Sequence, residues 1–291
     1  MEFIYTPQQL AGYKGYNQRV RIGNWTEDQV QIDSRIADYI HKKKSGGLKC
    51  TQAEARFTRV CAPQELDGRD DVVRFGENVM LFNEESNGCI AYDNQEKISH
   101  DGWAVSTTWY TEACARTVFK LVPYSGAPDS KDRLFTFDDD ALHFGQKFHI
   151  QTTLPSDAGE PLFLASFAKT PQRFARYSRE QEVCVSSTKS WNTVFEVVCL
   201  DPTYRLEVEG QAVQSHTPFA LIHCATRVFL ASDKGVPYRN DFGQEYELFC
   251  KTFQDTQRGQ LGQRDRKMLA AQNRFCFVNN TNGPPPGSEE Q

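Results

Sequence analysis

From about residue 57 to residue 278 the chain is a succession of short runs rich in β-branched and aromatic side chains. They read FTRV, DVVRF, NVMLFN, CIAYD, TVFKLV, RLFTF, FHIQT, LFLASF, EVCVSS, NTVFEVV, YRLEV, FALIHC, VFLAS, YELFCKTF and RFCFV. Gly, Pro, Asn and Asp punctuate them, as turns punctuate strands. No amphipathic helix of useful length interrupts the series before about residue 255. The pattern therefore excludes alternating β/α units and predicts an all-β body over residues 57–278.

The runs repeat. RFGENVMLFN begins at Arg74, HFGQKFHIQT at His143 and VEGQAVQSHT at Val208, each with Gly in third place. Gly76 and Gly145 are 69 residues apart, and Gly145 and Gly210 are 65 apart. LFLAS at Leu162 and VFLAS at Val228 are 66 apart, and CIAYD at Cys89 fills the same role in the first unit. A fixed period marks a repeated supersecondary unit. Three units predict a β-trefoil-like body with hairpins of the MIR type, with Gly145 and Gly210 in equivalent turns of unusual φ/ψ. The FG at Phe242–Gly243 breaks the period and reads as the start of another hairpin in the third unit. An irregular β-sandwich with chance FG turns also fits the pattern.

The 24 residues before this region's helix lack periodicity. They read as an extended arm with Phe3, Tyr5, Tyr13 and Tyr16 as aromatic anchors, or as a frayed terminus. Residues 25–47 predict one N-terminal helix. Thr26 and Gln29 form a capping-box pattern, Ile32, Ile36, Tyr39 and Ile40 make an apolar stripe, and Gly46–Gly47 stop it. Lys42, Lys43 and Lys44 suit the negative end of that helix, or contact an acidic partner. Arg19 and Arg21 can pair with surface carboxylates, and Trp25 can anchor an interface; alternatively, Ile22 and Trp25 staple the helix to the body. Residues 279–291, with three consecutive prolines, read as a disordered tail.

Formal charge is −5 over 291 residues, which argues against a general nucleic-acid binder. With 39% hydrophobic residues the chain can build a core. No apolar run is long enough to span a bilayer, and the first ten residues lack the features of a secretory signal. A soluble protein made in the cytosol is expected. The nine cysteines contain no CxxC pair and read as free, mostly buried thiols. No nucleotide loop, nucleophile elbow, zinc-protease or kinase signature occurs. Asp138–Asp140 read as an exposed turn, and His100, His143, His149, His216 and His223 as structural histidines. No catalytic residue, metal ligand or cofactor site is expected.

VRIGNWTED, from Val20 to Asp28, resembles the N-terminal motif of the cilia- and flagella-associated protein 161 family. RFGENVMLFN, Ser190–Trp191, DPTYRLEVEGQAV at Asp201–Val213, ALIHCATRVFLAS at Ala220–Ser232 and FGQEYELFCKTFQD at Phe242–Asp255 resemble further segments of that family in the same order. The resemblance implies a structural microtubule inner protein. It would sit in the A tubule of axonemal doublets, support motile cilia, and have tubulin and other inner proteins as partners. It implies no reaction, cofactor, nucleic acid or membrane. A different class also stays open: a cytosolic trefoil module that binds a glycan or a phosphorylated small molecule, which needs Arg and Lys converging from adjacent hairpins.

Overall fold

A computed structural model describes residues 25–68, 70–99, 102–126, 139–156, 159–257 and 266–280. The arm, RLFTF, Asp138, His100 and the tail from residue 281 lie outside them. The chain divides into two units, Met1–Arg59 and Val60–Gln291.

In the first unit, helix α1 (Trp25–Ser45) ends on Lys42, Lys43 and Lys44. Gly46 follows at φ +71°, and the Gly47 N–H donates to the Lys42 carbonyl at 2.8 Å. This is the left-handed stop that Gly–Gly predicts. The apolar stripe is not buried: Ile32 and Ile36 are half-buried, while Tyr39 and Ile40 are exposed. A second helix, α2 (Lys49–Val60), follows and overturns the reading of FTRV as a strand. Gln52-Ala-Glu-Ala-Arg are strong helix formers, and they carry Phe57–Val60 into the last turn. There the Thr58 hydroxyl donates back to the Glu54 carbonyl at 2.9 Å.

The second unit is β-structure. Its strands are β1 (Asn78–Asn83), β2 (Gly88–Ser99), β3 (Gly102–Thr108), β4 (Val118–Pro123), β5 (Lys147–Thr152), β6 (Phe163–Ser166), β7 (Gln181–Ser186) and β8 (Phe195–Val198). After these come β9 (Ala220–His223), β10 (Val228–Asn240), β11 (Gly243–Cys250), β12 (Gln254–Gln257), β13 (Arg266–Leu269) and β14 (Phe275–Val278). β12 and β13 form a separate ribbon. The other twelve strands form one sheet, which closes on itself as a barrel. The closed path runs β1–β4–β5–β8–β9, then through the Phe219–Phe275 bridge to β14, and back to β1. Three hairpins stand off this ring: β2–β3, β6–β7 and β10–β11. Each touches the other two through β3, β7 and β11.

The repeat is legible in the backbone. The Val73 N–H donates to Val213, Val213 to Leu142 and Leu142 back to Val73, at 3.0, 2.7 and 2.9 Å. All three side chains are fully buried, so a closed ring of hydrogen bonds marks a threefold axis. One turn later each unit has a residue at positive φ: Gly76 at +84°, Gly145 at +85° and His216 at +59°. Their N–H groups donate to Leu121, Val197 and Phe277 at 2.9, 2.8 and 2.8 Å, on β4, β8 and β14. Inward positions then match in threes: Val79, Phe148 and Phe219; Leu81, Ile150 and Leu221; Phe119, Phe195 and Phe275. Along a barrel strand only alternate residues face inward, and full burial of each such side chain contributes about 1.5–3 kcal/mol.

Gly210 is not the counterpart of Gly145. It lies at positive φ, but its N–H donates to the Phe144 carbonyl, six residues before the true third turn at His216. The expected pairing took the wrong glycine because the third turn carries histidine. YRLEV is also corrected: Arg205–Val208 form a helical turn, α3. Asp201-Pro202 start it, and the Asp201 carboxylate accepts the Thr203 N–H at 2.8 Å. LFLAS and VFLAS do begin equivalent strands, β6 and β10, and CIAYD lies in β2. Gly243, at φ +114°, turns the β10–β11 hairpin that VFLAS opens rather than starting another.

Candidate functional site

Of the residues singled out for partner binding, Arg19 and Arg21 lie outside the described residues, and Trp25 is the first residue of α1. Lys42, Lys43 and Lys44 are exposed on its last turn. Lys42 is partly engaged, with its ammonium 2.7 Å from Asp38 one turn back. At that exposure the pair contributes at most a few tenths of a kcal/mol, so the lysines remain available to a partner. Of the apolar stripe, Ile40 is 45% and Tyr39 37% exposed. An amphipathic helix this long is stabilised mainly by burying its apolar face, and α1 leaves much of that face to solvent.

A concavity of about 560 Å³ opens where the three hairpins meet. The β2 tip supplies Lys97 and Ile98, the β6–β7 loop supplies Arg173 to Tyr177, and β10 and β11 supply Tyr238 and Glu247. The loop is held rigidly. Glu247 accepts the Tyr177 and Ser178 N–H groups at 3.0 and 2.6 Å. Arg173 donates to Glu182 at 2.7 Å and lies 3.3 Å over the Phe167 ring. Tyr177 stacks on Tyr238 with centroids 4.9 Å apart and planes 17° apart. The lining holds Glu96, Glu182 and Glu247 against Lys97, Arg173 and Arg176. Equal numbers of each sign do not make the basic concavity that a phosphate ligand needs. The PQRFARYSRE run between two strand segments carries Arg173, Phe174, Arg176 and Tyr177 of this lining; its interleaving of arginines with aromatics is the signal that could have found them.

A buried ion pair braces the same end of the barrel. Arg116, on the loop before β4, donates to both oxygens of Glu245 on β11 at 2.7 and 3.1 Å. Ser106 and Asn240 each donate to Glu245 Oε2 at 2.6 Å, and the guanidinium lies 3.8 Å over the Phe242 ring. Burial pulls the Glu245 carboxyl upward, but Arg116, Ser106 and Asn240 outweigh it and hold it below the usual carboxylate range.

Two of the histidines, His149 and His223, hydrogen-bond within the barrel. His223 Nε2–H donates to the Asn192 carbonyl at 3.0 Å and Nδ1 accepts from the Thr226 hydroxyl at 2.8 Å. His149 Nδ1 lies 3.0 Å from the Thr193 hydroxyl. Burial lowers the pKa of both, and of His216. His143 faces the exposed Asp139 at 3.5 Å. The cysteines form no disulfide, and burial pushes the Cys250 and Cys276 thiols up to about 12, which keeps them protonated at neutral pH. Among the described residues no group of His, Cys, Asp and Glu could hold a metal ion, and no helix is long and apolar enough to cross a membrane.

The family model described as "Cilia- and flagella-associated protein 161-like domain" matches residues 94–264, more than half of the chain. The chain belongs to the cilia- and flagella-associated protein 161-like family. The match spans the cavity loop, the ion pair and the second and third hairpins. Cilia- and flagella-associated protein 161 from Danio rerio is 29% identical, covering 86% of each chain. The Bos taurus protein of the same name is 24% identical, over 84% of this chain and 78% of the relative. This member of the family is a cilia- and flagella-associated protein, located in the cilium or flagellum. Among solved structures, the crystal structure of the SDF2-like protein from Arabidopsis thaliana superposes with a TM-score of 0.50. It is 14% identical, over 71% of this chain and 94% of that one. That likeness is one of fold.

Proposed function

We propose that the chain is a structural microtubule inner protein, bound in the lumen of the A tubule of ciliary doublets, where it supports beating. Its body is a β-trefoil with MIR-type hairpins, its partners are tubulin and neighbouring inner proteins, and it catalyses no reaction. Family membership carries the reading. The six-strand ring, the three hairpins and the threefold ring at Val73, Leu142 and Val213 support the trefoil, as does the fold likeness to the SDF2-like protein.

The surface fits a scaffold. Near its C-terminal end α1 exposes Tyr39 and Ile40 beside three lysines, an apolar and basic patch suited to packing against an acidic protein. Net charge of −5 does not oppose this, because local groups govern contact.

Fractionation of axonemes tests the proposal. After detergent and high-salt washing the chain remains with the doublets, together with tubulin. Release into the detergent-soluble fraction would refute a lumenal role.

A further inference from the structure

We propose that the concavity at the hairpin end is a docking site for an acidic peptide segment that also carries apolar side chains. The inference concerns this surface alone and does not depend on where in the cilium the chain sits.

The charge pattern selects the occupant. Two of the three carboxylates in the lining are consumed internally: Glu182 by Arg173 and Glu247 by two backbone N–H groups. They are 4% and 7% exposed, so they form the floor. The exposed cations differ. Lys97 lies 5.5 Å over the Trp103 ring and Arg176 5.5 Å over the Tyr177 ring; among the described residues neither forms an ion pair with a carboxylate. Of the lining charges left to meet a partner, the exposed Lys97 and Arg176 outnumber the half-buried Glu96, so the rim carries a net positive charge although the lining as a whole is balanced.

The apolar pattern selects the rest. Ile98, Phe174 and Tyr177 are 40%, 39% and 44% exposed and line this one concavity. Isolated exposed apolar residues are ordinary, whereas a cluster on a concave surface marks an interaction site. The loop that presents them is already ordered. Ala175 and Glu180 are joined by a 2.9 Å backbone bond, and Glu180 accepts from both Lys169 and Lys251 at 3.1 Å. A preformed site loses little entropy on binding. Rim cations over aromatic rings match carboxylates, and the Tyr177–Tyr238 stack with Phe174 matches branched or aromatic side chains.

The test uses the purified full chain and short fluorescein-labelled peptides read by anisotropy. A peptide alternating Glu and Leu binds saturably. The same peptide with Lys for Glu, and one alternating Glu and Gly, bind at least about tenfold more weakly. The double variant Lys97→Glu/Arg176→Glu weakens the Glu–Leu peptide by about tenfold or more, and so does Tyr177→Ala, with thermal midpoints close to that of the parent. These substitutions are at exposed side chains, so loss of fold does not confound them. No saturable binding of the Glu–Leu peptide would overturn the proposal. Equal binding of the Lys–Leu peptide, or indifference to the charge reversal, would do the same.

Discussion

Gly145 and His216 occupy the same position in successive repeats. Each sits at positive φ, and each donates its N–H to the last barrel strand of its own unit, at Val197 and Phe277, at 2.8 Å in both cases. One site suits the residue and the other strains it. A side chain in the left-handed region costs about 1–2 kcal/mol, and His216 Nε2 is also buried without a partner among the described residues. His216→Gly is therefore expected to leave stability unchanged or raise it by up to about 1 kcal/mol. Gly76→Ala and Gly145→Ala are expected to lower it by about 1–2 kcal/mol, Gly145→Ala the more, because a Cβ there meets Glu209 Cγ at 2.9 Å. Urea denaturation with a common m-value reads all three.

Arg116 and Glu245 are 129 residues apart and meet fully desolvated. Removing one partner strands the other charge, so Arg116→Met or Glu245→Leu alone is expected to destabilise by about 3–5 kcal/mol. Combining the two should restore a large part of that loss. A double variant no better than the worse single variant would show that Ser106 and Asn240, not the charges, dominate the site.

Burial holds His149, His216 and His223 below their ordinary pKa. Below about pH 6.5 the unfolded chain takes up protons that the folded chain resists, so stability falls with pH. The contribution is fully present above that value and is lost as pH drops toward the folded pKa values. The thermal midpoint is expected to be flat from about pH 8 to 7 and to decline on the way to about pH 5.5. His149→Gln/His223→Gln should make that decline shallower, whatever it does to the midpoint at neutral pH.

The glycine turns at Gly76 and Gly145, and the LFLAS and VFLAS strands, are local signals: a backbone that needs positive φ and an alternation that needs two faces. The third turn was hidden because His216 tolerates what glycine prefers, and Gly210, six residues earlier, offered a nearer match. Helix α2 was hidden because FTRV carries strand-like residues, while the helix formers that decide its state lie before it. The cavity joins Lys97, Arg176 and Tyr238 from three hairpins, and the ion pair joins positions 116 and 245. No local pattern reports such meetings; only the closed ring of strands brings them together.

The arm and α1 give the account its cheapest separation of folding from function. Tyr39→Ala/Ile40→Ala is expected to change stability by less than about 0.5 kcal/mol, since both side chains are exposed, and Arg19→Ala/Arg21→Ala is the second variant, its thermal midpoint measured alongside. Incorporation into doublets should fall in both. Normal incorporation of either variant would remove that segment from the binding surface.

The most direct measurement of the central claim is subtomogram averaging of doublet microtubules from motile cilia with and without the chain. The account predicts a periodic density of the size of this β body inside the A tubule, absent when the chain is absent and restored by the tagged protein. Identical A-tubule lumens in the two samples, or a density outside the tubule, would contradict it.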